Sequence, residues 1–139
     1  MTDNADRLRQ FMQRVWNAGD AAAVGEFLAP QYTIYSDPGD PWDGQTLTTA
    51  SFTDRLLTSR APFPDLHFEI GELIEAGDRI ALSWTMRGTQ LGPMGERPPT
   101  GRAFAVQGMT IYYFADGLLV GHRKVVDRLS VAQQLGLFG

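Results

Sequence analysis

The chain has 139 residues, 43% hydrophobic and 20% charged, with a formal net charge of -4, a balance that suits one globular domain over residues 1–139. Eleven scattered arginines and one lysine do not form the clustered cations that a nucleic-acid surface needs to neutralise phosphates. Cysteine is absent, histidine occurs only at His67 and His122, the opening MTDNADRLRQ is charged, and no window has membrane-spanning length. Disulfides, thiolate catalysis, a metal or cofactor, a secretory leader and a membrane span are therefore not expected, and a cytoplasmic location is.

Leu8, Phe11, Met12, Val15 and Trp16 fall on one face of a helix. Asn17-Ala-Gly19 stops it, and Asp20 can cap a second helix that buries Val24, Phe27 and Leu28. Tyr32 to Tyr35 reads as a short strand, and SDPGDPWDG after it as a loop. Helical spacing returns from Thr48 to Arg60 through Phe52, Leu56 and Leu57, ending at Ala61-Pro-Phe-Pro64.

From Leu66 the period becomes two. Leu66–Glu75 and Arg79–Gln90 pair as a hairpin through Ala76-Gly-Asp78, with Ile80, Leu82, Trp84 and Met86 on one face. LGPMGERPPTG is a long loop. Arg102–Phe114 and Leu118 to about Asp127 form two more strands around Ala115-Asp-Gly117, and Ser130–Leu135 a last short helix. Helices followed by antiparallel strands give an α+β layout, with helices on one face of a curved sheet.

Strict alternation along the last strand places Leu119, Gly121, Arg123, Val125 and Asp127 on the covered side, and His122, Lys124 and Val126 on the other. An inward Asp127 must be paired or used, because loss of water raises a carboxylate's pKa toward that of a general base. Pattern alone leaves it a second role, as the cap of the following helix. Arg123 shares its side but lies about 13 Å away. His122 and His67 read as surface or interface histidines. Trp16 and Trp84 belong to an aromatic core able to host a flat ligand. Lys124, set opposite Asp127, argues against an amine nucleophile in the same pocket. No GxSxG, phosphate-loop or dinucleotide motif occurs.

Six stretches in order, Phe63-Pro-Asp-Leu66, Glu75-Ala-Gly-Asp-Arg79, Arg87-Gly-Thr89, Pro98-Pro-Thr-Gly-Arg102, Asp116-Gly117, and Asp127 with Gln134-Leu-Gly136, resemble the SnoaL-like polyketide cyclases of the nuclear-transport-factor-two-like superfamily. The resemblance implies a cone-shaped, curved antiparallel sheet packed on about three N-terminal helices, the cystatin-like α+β barrel, dimerising through the sheet's outer side. It also implies cofactor-independent acid/base chemistry on a hydrophobic carbonyl compound, an aldol-type cyclisation or an isomerisation, with Asp127 as acid/base. Arg123, Gln90, Tyr113 and Tyr35 stand where relatives carry other polar or aromatic side chains, and with Trp84 and Trp16 they are the expected substrate contacts. Two alternatives accompany this expectation: an epoxide hydrolase with an acid–arginine–acid arrangement around Arg123, and a non-catalytic small-molecule binder.

Overall fold

A computed structural model describes residues 3–137. The apolar stripe at the N-terminus forms α1 (Asn4–Phe11), capped by Asp3, and continues as a π-helical segment, Met12–Asn17. Leu8, Phe11, Met12, Val15 and Trp16 are all buried, and full burial of side chains of this size stabilises by roughly 1.5–3 kcal/mol each. Gly19 stops the segment with a positive φ of 68°. Asp20 then caps a 3₁₀ turn, Ala21–Ala23, that leads into α2 (Val24–Phe27).

β1 (Leu28–Ser36) and β2 (Thr46–Leu47) follow, then α3 (Thr49–Arg60), whose start is fixed by reciprocal hydrogen bonds between Thr48 and Ser51. β3 (His67–Ala76), β4 (Arg79–Thr89), β5 (Ala103–Ala115), β6 (Leu118–Val126) and α4 (Arg128–Gln134) complete the chain. The strands form one sheet in the order β2-β1-β6-β5-β4-β3. The expected α+β layout is present, with one topological correction: β1 pairs parallel with β6, while the other neighbours are antiparallel. A hairpin forces antiparallel pairing, but β1 and β6 meet from opposite ends of the chain, so no short turn constrains their direction. Among the described residues no helix is long and apolar enough to cross a membrane.

Two departures from simple periodicity decide what faces inward. In α3, Phe52 and Leu56 are buried as expected, but Leu57 is 51% exposed and the third inward residue is Arg55, 2% exposed. In β6, Tyr113 pairs with Gly121 while Phe114 pairs with Leu119, so Val120 is an extra residue, a bulge. A bulge shifts alternation by one and exchanges the faces beyond it. Leu119 and His122, three residues apart, are therefore both buried, while Arg123 and the 64% exposed Val125 face outward. The face assignment expected for residues 121–127 is thus inverted.

Candidate active site

Between the sheet, α3, α4 and the loop after β4 lies a chamber of about 940 Å³. Trp16, Phe63, Phe68, Phe104 and Val126 give it apolar walls, and Arg55, Lys124, Asp40 and Arg128 give it one polar region. Its size matches small-molecule sites, which combine apolar lining with a few polar groups. A second void of about 10 Å³ shares Trp16, Arg55, Phe68 and Lys124 with the chamber and is backed by Tyr32, Thr110, Tyr112 and His122.

The polar region is built on Asp37, 1% exposed, at the end of β1. The turn residues after it fold the chain back: Asp37 N–H donates to Asp43 (2.7 Å) and Trp42 N–H to Asp40 (2.8 Å). Asp37 Oδ2 accepts from Arg55 at 3.1 Å and from His122 Nε2 at 3.0 Å, while Oδ1 accepts from Arg128 at 3.0 Å. Arg55 also reaches Asp40 at 3.2 Å. Burial alone would raise the Asp37 pKa, but the His122 hydrogen bond and the charges of Lys124 and Arg55 outweigh it, leaving the value at about 2. Burial also lowers the His122 pKa and raises that of Tyr32, whose hydroxyl lies 2.6 Å from His122 Nδ1. An ionised Asp37 accepting at Nε2 and a neutral Tyr32 donating to Nδ1 assign a neutral imidazole protonated at Nε2.

Two donors of this region keep spare capacity. Arg55 Nε is buried with no hydrogen-bond partner among the described residues, and the guanidinium lies 5.4 Å from the Trp16 ring and 5.7 Å from the Phe52 ring. An unmade buried donor costs roughly 1–3 kcal/mol, so an oxygen brought to it gains more than it would at the surface. Lys124 Nζ sits 5.4 Å from the Trp84 ring and 5.8 Å from Phe68, without a hydrogen bond or ion pair among the described residues. Trp84 can lie there because its strand partner is Gly108, where any Cβ would collide with the indole, and because its Nε1 donates to Thr110 at 3.0 Å. Burial lowers the Lys124 pKa to about 8. Asp37 and Asp40 pull it up, and Arg55 and Arg128 push it down.

The expected site residues scatter. Asp127 is exposed and caps α4, accepting from Ser130 N–H at 3.0 Å, because the bulge turns it away from the chamber. Its inward placement is corrected, and the cap role is the one its geometry supports. Arg123, Tyr113 and Tyr35 meet on the outer face: Arg123 Nε donates to the Tyr113 hydroxyl at 3.1 Å and lies 5.4 Å from the Tyr35 ring. They do not line the chamber. Gln90 is fully buried but braces the following loop, accepting from Thr100 Oγ1 at 2.8 Å. That loop brings Pro93, Met94 and Arg97 to the chamber. Trp84 stands behind Phe68 and under Lys124, whereas Trp16 lines the chamber directly.

Asp37, His122, Arg55 and Lys124 were missed because three sit beyond a bulge or on a helix face with a misleading leucine, and Asp37 lies among turn residues. His122 and Lys124 flanking one outward arginine was the available signal. Replacing Asp127 by Asn is expected to change stability by less than about 0.5 kcal/mol and leave activity intact, whereas Ala costs ~1 kcal/mol of capping energy. Urea unfolding of both variants checks this.

This fold and its apolar chamber define a class, and comparison with known proteins gives its family. The chain belongs to the SnoaL-like polyketide cyclase family, whose model matches residues 6–135. It is similar to a candidate polyketide cyclase of Acidithiobacillus ferrooxidans, 38% identical with a TM-score of 0.91, covering 100% of this chain and 99% of that one. TsrD from Streptomyces laurentii (25% identity, TM-score 0.81, 99% and 100% covered) shares the fold. IdmH from Streptomyces antibioticus (25%, 0.81, 97% and 99%) does too. No curated protein matches the sequence.

Proposed function

We propose that the protein is a cofactor-independent acid/base enzyme acting on a hydrophobic carbonyl compound, by aldol-type ring closure or isomerisation. The supporting observation is that Arg55, whose buried Nε has no partner among the described residues, and Lys124 both line the same apolar chamber. A carbonyl oxygen placed against Arg55 would gain a charge-assisted hydrogen bond that strengthens as an enolate forms. Lys124 in its amine form takes the α-proton, and its ammonium form returns a proton to the new alkoxide or carbon. The chamber holds two reacting carbons close, which lowers the entropic part of the barrier. Asp37 and His122 hold Arg55 in place and keep the region's charge balanced. A homodimer through the outer face of the sheet, where Met109 and Val125 are exposed, belongs to the same reading.

The test needs no knowledge of the natural substrate. Aromatic ketones and 1,3-diketones incubated in D₂O with the enzyme should exchange α-protons faster than in buffer, with a rate that rises through about pH 8 as Lys124 loses its proton. Exchange at the buffer rate across the panel, despite binding, would count against the assignment.

One observation favours a second reading. Arg55 lies between Asp37 and Asp40, an acid–arginine–acid arrangement with Arg55 and Asp40 on the chamber wall and Asp37 buried behind them, that could orient water toward an epoxide. A hydrophobic epoxide converted to diol in H₂¹⁸O, with no carbonyl exchange, would support it.

A further inference from the structure

We propose that Lys124 is a covalent site: its ε-amine condenses with the carbonyl of an apolar ketone or aldehyde seated in the chamber, forming an imine. This rests on the carbonyl-enzyme reading above and gives Lys124 a covalent role in place of that of proton acceptor.

Four features carry the inference. Lys124 is the only lysine of the chain, and the β6 bulge turns it toward the chamber. Its Nζ lies 5.4 and 5.8 Å from the Trp84 and Phe68 ring centroids, contacts that hold the amine on the chamber wall. The nearby carboxylates are already engaged: Asp37 with Arg55, His122 and Arg128, and Asp40 with Arg55. Neither is hydrogen-bonded to the amine, and a pKa of about 8 leaves a usable fraction unprotonated near neutrality. Finally, Arg55 lines the same 10 Å³ void as Lys124 and has a buried Nε with no partner among the described residues, so an oxygen departing from the carbonyl carbon has a cationic donor beside it.

The steps balance without an oxidant or reductant. The Nζ lone pair adds to the carbonyl carbon, the C=O π pair moves to oxygen, and a proton shift gives a neutral carbinolamine. One proton from solvent lets the hydroxyl leave as water, and the nitrogen lone pair closes the C=N bond of a protonated imine. Loss of an α-proton, to water or to the Asp40 carboxylate on the chamber wall, leaves an enamine that attacks the second carbonyl, whose oxygen takes that proton back to become a hydroxyl as the C=N bond of the protonated imine re-forms. Water then adds to the C=N carbon and releases product and free amine. Each imine cycle therefore replaces the substrate's carbonyl oxygen with one from water, which simple enolisation does not.

The 139-residue chain is incubated with 2-acetylnaphthalene and sodium cyanoborohydride, then read by intact mass and peptide mapping. The expected result is one reduced adduct on the peptide containing Lys124, absent from Lys124→Met and Lys124→Arg. The Met1 α-amine, the other primary amine, is read on its own peptide. In parallel, ¹⁸O-labelled ketone should lose its label at least tenfold faster with wild type than with either variant. Unfolding curves and quenching of tryptophan emission by the ketone check that both variants fold and bind. An adduct confined to Met1, or label loss equal in wild type and variants, overturns the imine. If α-proton exchange persists in that case, the acid/base reading stands alone; if exchange is also absent, both fall.

Discussion

Replacing Lys124 with methionine is expected to lower catalysed α-proton exchange by about 10²–10⁴-fold, the range for loss of a positioned acid/base group. The fold should survive, because methionine fills similar space among Trp84 and Phe68 and removes a poorly hydrated charge. The pH dependence of stability separates a buried amine from a surface one. A folded-state pKa of about 8 against an ordinary 10.5 means that between these values the unfolded chain binds a proton that the folded chain does not. Wild-type stability gains from this group as pH rises from 8 toward 10.5, and the variant lacks that gain. Urea unfolding at pH 7 and pH 9.5 measures the difference.

Asp37→Asn should be the most destabilising single change in the polar region, costing ~3–5 kcal/mol, because it removes the more deeply buried of the two anions paired with Arg55 and leaves the Arg55, Arg128 and Lys124 charges facing Asp40 alone. The substitution keeps the side chain's size but takes away the acceptor shared by Arg55, His122 and Arg128. The same Asp-to-Asn change at exposed Asp127 should be nearly silent, so the pair separates buried charge compensation from helix capping. The acid limb follows from the same residue. With a folded pKa of about 2 against an ordinary 3.8, Asp37 stabilises fully above about pH 4, and this contribution fades as pH falls toward 2. Urea midpoints between pH 3 and pH 7 check both expectations.

The architecture was legible because its signals are local and repeated. The stripe through Leu8, Phe11, Met12, Val15 and Trp16 and the alternation of Ile80, Leu82 and Trp84 each produced the element they imply, with the inward faces as read. The family's short motifs also acquire physical roles. Asp65 of Phe63-Pro-Asp-Leu66 accepts from Thr89 N–H at 2.7 Å and Oγ1 at 2.8 Å, tying two of the motifs together. Gln134 clasps the Ala105 backbone at 3.0 and 2.9 Å, docking α4 on β5. The site was less legible because one inserted residue outweighs a sound periodicity: Val120 reverses the side chains from His122 to Val126. Alternation gives the period but carries no mark of where a bulge resets it. Likewise Leu57 fits the α3 stripe as well as Arg55 does not, and only the partners Asp37 and Asp40, contributed by distant chain, make Arg55 the residue that turns inward.

A partly buried amine on the chamber wall is the feature from which the chemistry follows, and the chain's single lysine makes it directly observable. Protein labelled with [ε-¹³C]lysine should give one side-chain resonance, titrating with a midpoint near 8 and shifting when 2-acetylnaphthalene fills the chamber. A midpoint at the ordinary 10.5, with no response to the ketone, would place Lys124 in bulk water and contradict the account.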